Sequence, residues 1–196
     1  MRAPEPVVLA GHFVRLEPLA PSHRADLEAA IAEDSEAVRL GAGLFVQDGW
    51  QAWHGEAAAG MADGRYVAWA TVDPSSGLAV GSTRFGDIDI PSERVEIGWT
   101  WIAPSRQRTA INTEAKLLQL RYAFDELGAG RVALKTDGRN ERSQRAIERL
   151  GAVREGVLRR HLWVSDGVIR DTVYYSILAD EWPAVRDRLE ERLSRP

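Results

Sequence analysis

The alternation of apolar and polar positions along the chain predicts an interleaved series of strands and helices. Phe13–Pro18 alternates enough for a first strand, and His23–Glu33 places Leu27, Ala30 and Ile31 on one helical face behind Ser22 as N-cap. Leu40–Gly49 is glycine-rich and reads as irregular, before a second helix over Trp50–Met61. Arg65–Asp73 has the period of two that marks a strand, through Val67, Trp69 and Thr71. The turn Asp73-Pro74-Ser75-Ser76-Gly77 then returns the chain antiparallel along Leu78–Ile90. After Pro91-Ser92 comes the strand Arg94–Ala103, whose simple alternation puts Val95, Ile97, Trp99 and Trp101 on one face and Glu96, Gly98 and Thr100 on the other.

A polar loop, Ser105–Asn112, leads into the strongest helix, with Leu117, Leu118, Leu120, Phe124 and Leu127 as its apolar face and Gly128 as its stop. A short strand, Arg131–Thr136, and a helix, Glu141–Leu150, ended by Gly151, follow. Val153–Val164 and Val168–Leu178 read as two strands joined at Ser165-Asp166-Gly167, and the segment from Asp180 as an amphipathic helix with Trp182, Val185, Leu189 and Leu193 in register. A three-strand meander followed by strand–helix–strand predicts an α/β domain. Its sheet is mixed and mainly antiparallel, flanked by helices, with a right-handed crossover through the long helix. The expected organisation is a single domain over 1–196.

Composition narrows the chemistry. The 196 residues contain no cysteine, which removes disulfides, thiolate metal sites and a cysteine nucleophile. No apolar run approaches the ~20 residues that span a bilayer, and the first residues make a poor secretory signal, so a cytoplasmic protein with no membrane partner is expected. The net charge of −4 is unevenly distributed: residues 1–100 carry 7 basic and 15 acidic side chains, residues 101–160 carry 13 and 7. A basic centre between acidic flanks points to an anionic ligand there, while the overall acidity argues against nucleic acid.

The segment Trp101–Lys116, WIAPSRQRTAINTEAK, runs into the long helix, and DGRNERSQRAIERLGAVREGVLRRH follows the next strand. Together with Arg170-Asp171-Thr172-Val173-Tyr174-Tyr175-Ser176, these motifs resemble the GCN5-related N-acetyltransferase (GNAT) superfamily, in particular its branch of Rim-type ribosomal-protein N-terminal acetyltransferases. The resemblance is dense over about 95–178. It implies an enzyme that passes the acetyl group of acetyl-CoA directly to a primary amine, a small molecule or a protein N-terminus, with no metal and with a homodimer as one arrangement. The rival reading is a CoA-binding regulatory module with little turnover.

The resemblance also implies site residues. The family's Q/R-x-x-G-x-G/A loop falls on Gln107, Arg108, Thr109, Ala110, Ile111 and Asn112, followed by Thr113, with Ala110 in place of the glycine and Asn112 in place of the final small residue. A loop entering a helix presents unpaired N–H groups and the positive end of the helix dipole to phosphate, and Arg106 and Arg108 add guanidinium forks. By itself Thr109–Thr113 reads first as a helix cap, with Asn112 one candidate for it. Asn140 and Ser143 are implied to lie along the cofactor arm, and the N–H groups near Trp101 and Ile102 to polarise the thioester carbonyl. The tyrosine that commonly protonates the leaving thiolate is replaced by Ile147. Ser143, Tyr174, Tyr175 or water are left to do so. Glu96, in mid-strand, is the first candidate base and His161 the second. Leu44, Phe45, Trp50, Trp53 and His54 are read as acceptor cleft or core.

Overall fold

The computed structural model describes residues 1–164 and 167–194. In chain order its elements are β1 (Leu9–Ala10), β2 (Arg15–Pro18), α1 (Arg24–Ala32), α2 (Ser35–Ala62), β3 (Val67–Asp73), β4 (Leu78–Asp89), β5 (Arg94–Ile102), α3 (Ala110–Arg121), β6 (Arg131–Asp137), α4 (Glu141–Leu150), β7 (Val153–Trp163), β8 (Ile169–Leu178) and α5 (Trp182–Ser194). The strands form one eight-stranded sheet in the order β1-β2-β3-β4-β5-β6-β8-β7. Every pairing is antiparallel except β5 with β6, which are parallel and joined through α3.

Register assigns the two faces, because residues directly opposite in neighbouring strands share a side. Phe85, Ile97, Leu134 and Tyr175 form one cross-strand row. On that side Phe85 stacks on Tyr122, which continues α3 in a π-helical turn, and Tyr175 donates to Glu148 of α4 at 3.1 Å. Gly86, Glu96, Ala133 and Ser176 form a row on the opposite side. That side is covered by α2, whose Phe45 and Trp53 pack against Trp101.

Three expectations are corrected. Leu40–Gly49 is not irregular but belongs to α2, which absorbs its glycines as kinks at Ala42 and at Gly49, where φ is +75°. The short strand β1 escaped notice because two residues carry no periodicity. The third correction concerns the faces of β5. Trp99 has φ +51°, and the ladder slips between Ser82 opposite Trp101 and Arg84 opposite Gly98, so Thr83 faces two residues, Trp99 and Thr100. A bulge of this kind reverses the alternation beyond it. Trp99 and Trp101 therefore join Glu96 on the α2 side, and Thr100 turns towards α3. The turn residues Ser165 and Asp166 lie outside the described residues; Gly167 beside them has the φ of +75° that glycine supplies in turns.

Candidate active site

Strands β5 and β6 pair only from Arg94 to Ile97 and from Arg131 to Leu134. Beyond those residues β5 runs on to Ile102 and β6 to Asp137 without pairing, so a wedge opens in the middle of the sheet. The wedge frees backbone N–H and C=O groups of Gly98–Ile102 on the side facing β6, groups a sheet would otherwise use. Its mouth lies between the beginnings of α3 and α4. Arg142 of α4 ties the two sides by donating to Gln107 Oε1 at 2.8 Å, and Gln107 Nε2 donates to the Ile102 carbonyl at 3.0 Å. Arg142 is thus a fastening.

The loop before α3 turns tightly into the helix. Arg108 takes φ +64°, and Thr109 is the N-cap, its Oγ1 accepting from Ile111 N–H at 3.3 Å and donating to the Arg106 carbonyl at 2.8 Å. Ala110 begins the helix, and Asn112 lies inside its first turns rather than capping it, because Thr109 already fills that position. Asn112 Oδ1 is buried with no partner among the described residues. Thr113 is half-buried beside it. The two arginines separate: Arg106 donates to Asp73 Oδ2 at 3.0 Å and is held to the β3–β4 turn, whereas exposed Arg108 has no hydrogen-bond or ion-pair partner among the described residues. Asn140 caps α4, accepting from Ser143 N–H at 3.0 Å, and leaves the half-buried Ser143 hydroxyl at the start of that helix. Ile147 is buried in the core.

On the α2 side, a cleft of ≈ 430 Å³ is lined by Leu40, Trp53, Glu56, Arg84, Trp99 and Arg170, among others. Arg84 is fully buried, pairs with Glu56, and lies within 5.3 to 5.8 Å of the ring centres of Trp53, Tyr66 and Trp99. Phe45 and Trp50 belong to the core. Trp53 serves both core and cleft. His54 stacks on Trp50 at 4.6 Å; burial, then the charge of Arg84, lowers its pKa and favours the neutral ring.

Glu96 is 3% exposed and its Oε2 lies 2.7 Å from Lys135 Nζ. Burial raises its pKa, and Lys135 opposes that rise. Gly98 is needed beside it, because a Cβ there would come within 2.7 Å of Glu96 Oε1. Lys135 also lies 5.9 Å from the ring centre of Trp99 and 6.0 Å from that of Tyr174. His161 contacts Tyr174 edge-on at 5.9 Å and shares a hydrogen bond of 3.1 Å with Thr172. Tyr175, in contrast, is fully buried on the α3–α4 side, and burial pushes its phenol pKa up. Asp171 ties a strand: its Oδ1 accepts from Arg160 N–H at 2.7 Å, where φ +49° marks a bulge in β7. Sequence reasoning missed Arg84, Lys135 and Glu56; a charge in the middle of an apolar strand, as at Arg84 and Lys135, was the available signal.

These features fit a CoA thioester: a wedge of unpaired backbone, a positive-φ loop at a helix start, an unspent arginine and an orphaned buried amide oxygen. Comparison with known proteins agrees. Residues 14–153 match the family model of the acetyltransferase (GNAT) domain, and the chain belongs to that family. Among curated relatives, the Bacillus subtilis protein named "Putative ribosomal N-acetyltransferase YdaF" is 38% identical over 106 residues, 54% of this chain and 57% of that protein. The chain spans 57%, 63% and 50% of the lengths of the three curated relatives it matches. Among solved structures, a GCN5-related N-acetyltransferase from Brucella melitensis superposes with a TM-score of 0.86 at 31% identity, covering 98% of this chain and 87% of that one. Mycobacterium smegmatis RimJ in complex with CoA-disulfide superposes at 0.78 with 25% identity, covering 94% and 91%. The mixed, mainly antiparallel sheet expected from the sequence is thus the fold of this family.

Proposed function

We propose that this protein is an acetyl-CoA-dependent N-acetyltransferase acting on a primary amine. The observation that carries the reading is the wedge that opens after Ile97 and Leu134, directly before the positive-φ loop that starts α3. In this reading Arg108 and the free N–H groups of α3's first turn hold the phosphates, and Asn140 and Ser143 border the pantetheine arm. Of the N–H groups expected here, that of Trp101 turns to β4, and the Ile102 N–H, which faces the wedge, meets the thioester oxygen as negative charge develops on it. Acetyl-CoA supplies an activated acyl group whose C–S bond breaks as the amine nitrogen bonds the carbonyl carbon.

Glu96 takes the proton that the ammonium must lose before attack, directly or through water. Its burial supports that role by making the carboxylate more basic, and Lys135 keeps it charged. His161 remains the alternative base. Ile147 offers no proton to the departing thiolate, which leaves the half-buried Ser143 hydroxyl or solvent. Tyr174 is on the cleft side and Tyr175 is not.

The acceptor is an amine that fits the cleft between α2 and the sheet. A ribosomal acceptor is supported by the name of the YdaF relative, and a small amine by the cleft's size. The participation of β1 to β8 in one sheet supports a single domain over the described residues. Incubation with acetyl-CoA and a panel of N-terminal peptides and small primary amines, read by release of the free CoA thiol, tests the proposal. Amine-dependent release is expected; thermal stabilisation by acetyl-CoA without release on any amine favours the binding-module reading instead.

A further inference from the structure

Lys116 of α3 is 4% exposed, and its Nζ donates to Thr83 Oγ1 at 2.9 Å, Thr100 Oγ1 at 2.7 Å and Gln119 Oε1 at 2.9 Å. All three partners are neutral, and no carboxylate pairs with it among the described residues. The nearest acid along the helix, Glu114, is taken up by the N–H groups of His12, Phe13 and Val14. A buried ammonium without a counter-ion is costly, and a methionine of similar length would fill the same space without that cost. Such a violation of the packing rules is a pointer to function.

The position of the lysine shows what it does. Thr83 and Thr100 are the residues that meet where the β4–β5 ladder is interrupted by the Trp99 bulge, and their hydroxyls are 2.8 Å apart. Lys116 closes this pair from above. Less than two turns separate it from Ala110, the first residue of the helix whose start forms the loop junction. One side chain therefore joins the phosphate-type helix start to the bulged strand end that borders the wedge. That bulge in turn sends Trp99 towards Lys135 and Trp101 towards α2.

We propose that Lys116 is a positioning residue for acetyl transfer: by clamping Thr100 to α3 it fixes the phase of the β5 bulge, and with it the aim of the wedge-facing Ile102 N–H at the thioester oxygen. The inference rests on the acetyltransferase reading above. It places Lys116 behind the reacting atoms, not among them.

The test compares wild type with Lys116→Met and, separately, Thr100→Val, measuring kcat, the affinity for CoA and thermal stability. Misaimed donors cost turnover steeply, so kcat is expected to fall roughly 10- to 100-fold in both variants. Affinity for CoA stays within about twofold, because the phosphate contacts are untouched, and Lys116→Met is at least as stable as wild type near pH 7. Near-native kcat in Lys116→Met overturns the proposal. So does a joint fall of stability, CoA affinity and kcat, which would mark the lysine as a support for the fold alone. Wild-type protein that acetylates no amine refutes the acetyltransferase reading itself, and Lys116 then has no transfer to position.

Discussion

Glu96 and Lys135 face each other across the parallel pairing of β5 and β6, with 2.7 Å between Oε2 and Nζ. The pair stands at the point where the two strands part, and the Trp99 ring adjoins the lysine. Burial makes the Glu96 carboxyl harder to ionise and the lysine makes it easier. The balance sets the pH at which a base is available. Glu96→Gln should lower kcat by ~10² or more with little change in KM for acetyl-CoA, and activity should partly return at high pH, where amines deprotonate unaided. Near-native kcat in Glu96→Gln together with loss in His161→Ala would transfer the role to His161.

Lys135→Met leaves the burial of Glu96 opposed only by the more weakly acting Arg170. The carboxyl pKa then rises further, less carboxylate is present at a given pH, and the acid limb of the kcat/KM profile should move to higher pH. A pH–rate series checks this. An unmoved acid limb would mean that the group titrating there is not Glu96.

Arg108 and Arg106 sit two residues apart and have different fates, one without a partner among the described residues and one bound to Asp73. Arg108→Ala should weaken CoA by roughly 10- to 100-fold, the worth of a charge-assisted hydrogen bond of ~1.5–3 kcal/mol, and leave acetyl-pantetheine, which lacks the nucleotide phosphates, nearly unaffected. Comparing KM for the two donors separates the phosphate role from a general effect. Arg106→Ala should cost stability through the β3–β4 turn more than affinity.

Burial lowers the Lys116 pKa from 10.5 to about 7. Between those values the unfolded chain holds a proton that the folded chain has released, so stability should rise as pH increases from about 7 towards 10.5. The gain is on the order of a few kcal/mol. Denaturant unfolding across that range should show the slope in wild type, and Lys116→Met should lose that part of it. Equal slopes in both proteins would place the titration elsewhere.

Much of this architecture was legible in the chain. The strands β3 and β5 announce themselves by period-two apolar residues, β4, β7 and β8 by the turns that bound them, α3 by its stripe, and α3 and α4 by their terminal glycines. The loop motif was legible as well, because its spacing between a strand and a helix is local. What stayed hidden depends on contacts distant in sequence. Nothing near Trp99 in the chain signals a bulge, since Thr83, Thr100 and Lys116, which meet at it, come from three elements. The pairing of Glu96 with Lys135 and of Arg106 with Asp73 is likewise set by sheet order and a turn. The glycine-rich stretch of α2 misled because tertiary packing of Phe45 and Trp50 overrides a weak local propensity.

Transfer of an acetyl group to an amine is the activity on which the roles of Glu96, Arg108 and Lys116 all depend. The most direct measurement is mass spectrometry of an amine acceptor after incubation with the protein and acetyl-CoA carrying an isotopically labelled acetyl group. The predicted result is one labelled acetyl on the amine nitrogen for each CoA thiol released, at a rate that collapses in Glu96→Gln. Tight binding of acetyl-CoA with no label on any primary amine, or label released only as free acetate, would contradict it.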